Sequence, residues 1–267
     1  MKPDVEEIAH ILALVRGRKP VVHAITNWVT AGDVAGGLTA LGARPVLAVA
    51  EEEVREIVAR ADALMLNLGT PTPDRVEAML AAGRQANTSG KPVVFDPVGA
   101  GVSPFRREAS GRILSEVRCS VIKGNRAEIG SLAGMGGELR GIEAVAGPED
   151  LQKAATGLSE QTGAVIAVSG QHDVVVRGER IVTVENGHPL LGRVTGSGCM
   201  LAAVIAAFLA VHDDALMATV GGIAFFGLAG EWAGQRSEGP GSFKAALMDA
   251  LFALSPEDLR AGARLKG

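Results

Sequence analysis

The stretch Val194-Thr195-Gly196-Ser197-Gly198-Cys199-Met200 combines residue types that could hold an anion and handle a proton. It runs straight into the apolar segment 201–209, which reads as a buried helix, so Thr195 to Cys199 would form a tight turn opening onto a helix N-terminus. Glycine tolerates positive φ and lets backbone approach a ligand closely. The first amides of a helix lack intrahelical partners and carry partial positive charge. A phosphate group fits such a turn. A plain helix start, capped by Thr195 or Ser197, satisfies the same pattern. Cys199 favours the chemical reading: in a first turn the helix dipole is expected to pull its thiol below the free value of ~8.5, making it a candidate base or nucleophile.

A second group is Lys123-Gly124-Asn125-Arg126-Ala127-Glu128. Asn125 with Glu128 three residues later is a capping-box pattern and needs no further role. The chemical alternative is that Asn125 and Glu128, with Asp96 at a neighbouring strand end, surround Mg²⁺ and its waters on a triphosphate. Magnesium keeps most of its waters and needs only one or two carboxylates. Lys123 would then neutralise phosphate charge. Other conspicuous residues read as structural. Cys119 is a small core residue, and His23 a satisfied polar residue near the first strand. Trp28 is an interface or pocket-wall residue, His172 and Asp173 face solvent in a turn, and Trp232 is core.

These groups must be carried by regular elements, and the pattern alternates between strand and helix. Helices are expected at Asp4 to Arg16, Val29 to Leu41 (with Asn27 as cap), Glu51 to Arg60, Thr72 to about Asn87, Phe105 to Val117, Arg126 to Leu132 and Glu149 to Gln161. Strands are expected at Val21 to Ile25, Pro45 to Val49, Ala63 to Leu68, Pro92 to Phe95, Cys119 to Ile122 and Ala164 to Val168, with a hairpin at Val174 to Val176 and Arg180 to Val184 lying antiparallel at one edge. Gly134 to Gly147 is Gly-rich and reads as a mobile flap. From Gly196 to Leu265 nearly everything is helical. Repeated βα units imply a mainly parallel sheet covered on both faces. Ligands in such sheets lie beyond the carboxyl ends of the strands. That rule gathers Asn27, Gly69, Asp96, Lys123, Asn125, Ser169 and the 195–199 turn on one rim.

Composition sets the bounds. The 267 residues are 47% hydrophobic with 35 glycines, 3% aromatic residues and no tyrosine. Residues 1–267 are therefore expected to form one α/β domain. A formal net charge of −4, with no basic cluster interleaved with aromatics, argues against nucleic acid as partner. Cys119 and Cys199 have no partners at metal-ligand spacing, so a reducing, cytoplasmic setting is expected. No signal peptide is seen at the N-terminus, and the apolar runs at Met200 to Val211 and Leu216 to Leu228 read as too short or too Gly-rich to span a membrane.

Three motifs in order, Asp-Pro-Val-Gly-Ala-Gly at 96–101, Gly-Asn-Arg-Ala-Glu at 124–128 and Thr-Gly-Ser-Gly-Cys at 195–199, resemble the ribokinase-like small-molecule kinases. Within them the match is to the hydroxyethylthiazole kinases of thiamine salvage. The resemblance spans nearly the whole chain, from His23-Ala-Ile-Thr-Asn27 to Gly239-Pro-Gly-Ser-Phe243. Most ribokinase-like enzymes carry Asp where this chain has Cys199; the thiazole kinases carry Cys.

The resemblance implies a three-layer αβα ribokinase-like fold. It implies ATP with Mg²⁺ as phosphoryl donor, the hydroxyl of 4-methyl-5-(2-hydroxyethyl)thiazole as acceptor, and a homotrimer. It places Asn27, Leu47 and Gly69 around the thiazole and Gly196 near its hydroxyl. Lys123, Asn125, Ser169 and Gly198 would meet ATP, Asp96 and Glu128 the metal, and Cys199 would be the catalytic base. At 47, 123 and 169, relatives carry Met, Arg and Thr; Lys lacks the bidentate fork of Arg. A kinase of hydroxymethylpyrimidine or pyridoxal, or a non-catalytic nucleotide sensor, is the alternative.

Overall fold

The structure is a computed structural model that describes residues 4–134, 138–140, 143–146 and 151–267. In chain order the first half comprises α1 (Val5–Arg18), β1 (Val21–Ile25), α2 (Ala31–Leu41), β2 (Arg44–Val46), α3 (Glu51–Arg60), β3 (Ala63–Asn67), α4 (Pro73–Thr88), β4 (Val93–Asp96), α5 (Pro104–Glu116), β5 (Val121–Asn125) and α6 (Arg126–Leu132). There follow β6 (Glu138–Arg140), β7 (Glu143–Ala146), α7 (Leu151–Thr162), β8 (Val165–Ser169), β9 (Asp173–Arg177) and β10 (Arg180–Val184). A short 3-10 helix at Pro189–Arg193 leads to α8 (Ser197–Leu209), α9 (Ala215–Gly234), α10 (Pro240–Ala253), α11 (Pro256–Gly262) and β11 (Leu265–Lys266).

The main sheet runs β11-β10-β9-β8-β5-β4-β3-β1-β2. From β2 to β8 neighbouring strands pair in parallel, and β9, β10 and β11 add on antiparallel. Side chains alternate across the sheet because successive Cβ atoms point to opposite faces. Val22, Ala24, Met65, Val94, Val121 and Ala167 enter one apolar cluster with α1, α2 and α8 to α11. Leu64, Leu66, Phe95, Ile122 and Ile166 enter another with α3 to α6 and α7. Two helical layers therefore sandwich the sheet, as the βα alternation requires. Chain order reverses between β1 and β3, so a crevice opens at the carboxyl ends of those two strands.

Several expected elements change on inspection of the structure. Asn27 does not cap α2: Thr30 occupies that position, and the Asn27 Oδ1 accepts from the Thr30 amide at 3.0 Å. β2 ends at Val46, so Leu47 lies beyond it, half-buried. The 174–184 hairpin is not the sheet edge, because β11 pairs outside it through Thr183 and Val184. Helix α9 contains 20 residues with mean hydropathy 1.4, long and apolar enough to cross a membrane, contrary to expectation. Yet 83% of its apolar stretch is buried within the fold. Its glycines serve that packing: a Cβ on Gly221 would stand 3.2 Å from Ile8 and Phe208, and one on Gly222 3.2 Å from the Ile205 backbone. Of the 134–147 segment, read as a flap, residues 135–137, 141–142 and 147 lie outside the described residues; within it β6 and β7 pair antiparallel.

Candidate active site

The turn before α8 forms as its glycines demand. Gly196 occupies the N-cap position with φ +91°, a left-handed conformation, and a Cβ there would stand 2.6 Å from the Thr30 Cγ2. Ser197 is tied back at both ends, its amide donating to the Val194 carbonyl (3.3 Å) and its hydroxyl to the Leu191 carbonyl (2.7 Å). The free amides of the first turn are therefore those of Gly198 and Cys199, which meet no partner among the described hydrogen bonds. Gly196→Ala is expected to cost at least about 2 kcal/mol, since a left-handed Ala carries strain and the methyl must push Thr30 aside. A urea titration indistinguishable from wild type would mean the turn relaxes freely.

Cys199 enters a buried amide cluster at the ends of β1 and β3. Its Sγ accepts from the Nδ2 of Asn67 (3.3 Å) and of Asn27 (3.4 Å). Asn27 also donates to the Thr30 hydroxyl (2.8 Å) and to the Asn67 Oδ1 (3.0 Å), and Asn67 donates to Asp96 Oδ2 at 2.6 Å. Asn67, with no exposed surface, was not singled out from the sequence. Inside an apolar strand it reads as filler; the signal that could have found it is a wholly polar amide at the strand's last position, two residues before Gly69.

The electrostatics correct one expectation. Burial, reinforced by Asp96, raises the Cys199 thiol above its ordinary value; hydrogen bonds from Thr30 and Asn67, and the Lys123 charge, pull the other way without prevailing. The helix end does not outweigh removal from water. Cys119 is buried as expected, and burial pushes its thiol to about 12.

Lys123 is the buried cation of the site, 3.6 Å from Asp96 Oδ1. Burial lowers its ammonium, but Asp96 and Glu128 more than offset this and hold it charged. Its Nζ lies close to the anion turn, where a Cβ on Gly198 would approach it to 3.1 Å. Glu128 completes the capping box with Asn125: the Asn125 side chain accepts from the Glu128 amide at 2.9 Å and Glu128 Oε2 from the Asn125 amide at 2.8 Å. Its Oε1 reaches further, accepting from the Gly99 amide at 2.9 Å, so the same carboxylate also fixes the loop after Asp96. Burial raises both carboxyls, and at Glu128 the charge of Asp96 adds to the rise; Lys123 pulls each the other way without prevailing.

The remaining expected residues take their places around this centre. Gly69 donates its amide to Asn67 Oδ1 at 3.0 Å, and a Cβ there would stand 2.7 Å from Asn27. Next to it Thr70 is left-handed (φ 41°) and is held by Arg75, whose Nη1 lies 3.4 Å from its hydroxyl. Arg75 also donates to the Thr26 carbonyl and stacks under Trp28, 4.7 Å from the ring centre; Trp28 itself is 64% exposed. Ser169 donates to the Gly124 carbonyl at 3.3 Å, at the end of β8 beside Asn125. Leu47 lies on the same rim, half-buried just past the end of β2. His23 is buried and only half satisfied, with Nε2 2.9 Å from the Ala48 carbonyl and no partner for Nδ1. Trp232 is half-buried rather than core, with Arg236 5.6 Å over its ring.

Asp173 departs from its expected solvent-facing role. His172 is exposed, but Asp173 opens β9 half-buried, accepting from the Gly170 amide at 2.9 Å, and burial raises its carboxyl to about 6. A folded value above the unfolded 3.8 means the proton is bound more tightly in the fold. Stability from this group is thus present at low pH and lost as pH rises through about 6. Asp173→Asn, which keeps the acceptor, should melt higher than wild type at pH 7 and with it at pH 4. Equal melting at pH 7 would mean that the carboxylate is solvated.

Comparison with known proteins gives one consistent answer. The model of the "Hydroxyethylthiazole kinase family" matches residues 12–257. A hydroxyethylthiazole kinase of Thermoanaerobacter pseudethanolicus is 51% identical over 92% of this chain and 94% of its own length. Among solved structures, a hydroxyethylthiazole kinase protein from Pyrococcus horikoshii superposes with a TM-score of 0.89 at 42% identity, covering 97% of this chain and 98% of that one. The pyridoxal kinase of Staphylococcus aureus, solved with AMP-PCP and pyridoxal, shares the fold at TM-score 0.57 and 22% identity, covering 78% of this chain and 86% of that one. The three-layer arrangement is thus ribokinase-like, as the motifs imply.

Proposed function

The chain belongs to the hydroxyethylthiazole kinase family, and from that premise we propose that residues 1–267 form one kinase domain transferring the terminal phosphoryl group of ATP to the hydroxyl of 4-methyl-5-(2-hydroxyethyl)thiazole. The observation that carries this reading is the Cys199 thiol at the N-terminus of α8, linked through Asn67 to the Asp96 carboxylate that faces Lys123. A proton acceptor, an anion-binding turn and a buried cation meet at one strand-end crevice.

Asn27, Leu47 and Gly69 would line the thiazole side of the crevice, with Gly196 close to the hydroxyl. Lys123, Asn125, Ser169 and Gly198 would contact ATP. The transition state of phosphoryl transfer is loose, so positioning and charge stabilisation outweigh base strength, and a thiol that gives up its proton reluctantly suffices. In its thiolate form Cys199 takes the alcohol's proton as the alcohol oxygen bonds to the terminal phosphorus of ATP and the bond from that phosphorus to its bridging oxygen breaks, ADP leaving. The amides of Gly198 and Cys199 stabilise charge on the transferred group, and loss of one such donor typically costs on the order of 10²-fold or more.

The residues fit Mg²⁺. Asp96 Oδ1 is a buried oxygen with no hydrogen-bond partner, and Asp96 and Glu128 together carry more negative charge than Lys123 neutralises. When bound, the ion would screen phosphate charge through its waters. A homotrimer is proposed from the same resemblance, supported by Trp28 and Val29, 64% and 66% exposed beside Asn27. A cytoplasmic setting is supported by the free thiols of Cys119 and Cys199.

The test is ADP release coupled to a reporter reaction, with a panel of vitamin-precursor alcohols as acceptors. Turnover with the thiazole alcohol, and at least tenfold less with hydroxymethylpyrimidine or pyridoxal, is expected. Preference for either of the others overturns the acceptor assignment.

A further inference from the structure

The buried amide of Asn67 joins four residues of the crevice. Its Oδ1 accepts from the Gly69 amide (3.0 Å) and from Asn27 Nδ2 (3.0 Å); its Nδ2 donates to Asp96 Oδ2 (2.6 Å) and to Cys199 Sγ (3.3 Å). A primary amide has two donor hydrogens and two acceptor lone pairs, and all four are used. Its orientation is not arbitrary. A backbone amide can only donate, so Gly69 fixes the oxygen on its own side and turns the nitrogen toward the sulfur and the carboxylate. With no exposed surface and no unused valence, Asn67 cannot itself bind a substrate.

We propose that Asn67 is a positioning residue: through one nitrogen it sets the Cys199 sulfur and the Asp96 carboxylate at a fixed distance from each other, and it does so without touching either substrate. The consequence for Asp96 is geometric. Oδ2 is engaged by Asn67, so Oδ1 is the oxygen turned to Lys123 and left without a hydrogen bond. The consequence for Cys199 is that its sulfur is held between two amide nitrogens at the mouth of the α8 turn, where a displacement of about 1 Å can cost on the order of 10²-fold in rate. The inference deepens the kinase reading and rests on it for its kinetic arm.

Two measurements test it. In the kinetic arm, Asn67→Ala, with Asn67→Ser in reserve if the alanine variant does not fold, is compared in the wild-type and Cys199→Ala backgrounds. Groups that act as a unit are strongly non-additive. The expected result is a kcat lower by roughly 10²-fold with KM for both substrates changed less than about threefold, and a loss of less than about tenfold when Cys199 is already gone. An equal loss in both backgrounds, or a change confined to KM, overturns the proposal. The second arm needs no activity. The side-chain amide protons of Asn67, assigned by their absence in an Asn67 variant, should shift in the NMR spectrum of Cys199→Ala; unmoved resonances mean that the sulfur is not held by Asn67. Failure of wild type to phosphorylate the thiazole alcohol, with the shift present, would sink the kinase reading and leave the positioning intact.

Discussion

Cys199→Ala should fold and bind both substrates yet lose on the order of 10²- to 10⁴-fold in single-turnover rate, the range a positioned acid–base group contributes. The truncation is mild structurally, because the half-buried Cys199 loses one sulfur atom and the weak bonds it accepts, among them those from Asn27 and Asn67. On the proposed reading, what disappears is the acceptor for the alcohol's proton. Cys199→Asp should keep substantial activity, since a carboxylate accepts from the same two nitrogens. The pH dependence separates these cases further. Burial and Asp96 hold the thiol above its ordinary value, so the deprotonated fraction, and with it the wild-type rate, should climb with pH across the neutral to alkaline range. A carboxylate titrates lower, so the rising limb of Cys199→Asp should move to lower pH. Single-turnover rates for Cys199→Ala equal to wild type would remove the thiol from the chemistry.

Lys123→Met should be the most destabilising single change in the crevice, at about 3–5 kcal/mol, the usual cost of stripping a buried charge of its partner. Lys123 and Asp96 are both almost wholly buried, at 4% and 1% exposure, and Glu128 adds a second acid within reach of the same ammonium. Without the lysine, Asp96 Oδ1 faces no cation at all. Adding Asp96→Asn should recover most of the lost stability while restoring none of the activity, because the amide removes the stranded charge but not the need for a cation at the phosphate. Equilibrium urea unfolding of the single and double variants reads this directly; a Lys123→Met protein as stable as wild type would show that water reaches the pair. Lys123→Arg is a separate case: a Cβ on Gly198 would stand 3.1 Å from the Nζ, so it is the bare glycine that leaves room for a larger guanidinium beside the α8 turn.

The sequence by itself determined the layers and the rim. Runs such as Ala63–Asn67 and Val165–Ser169 are buried on both faces, and that leaves a parallel sheet between helices as their only economical home. Gly196 marked the turn before α8 because only glycine suits its left-handed φ and the close approach of Thr30, and at Gly198 a Cβ would meet the Lys123 Nζ at 3.1 Å. Three motifs separated by many residues marked the site because two of them close neighbouring strands, β4 and β5, and the third opens α8. Other features depended on the tertiary structure. Asn67 became visible as the hub only once β1, β3, β4 and α8 were side by side, since its four partners come from four separate places in the chain. The direction of the Cys199 shift was decided in the same way. A helix dipole can be read from local sequence, but desolvation and the charge of Asp96 depend on what the folded chain stacks around the sulfur, and these prevail.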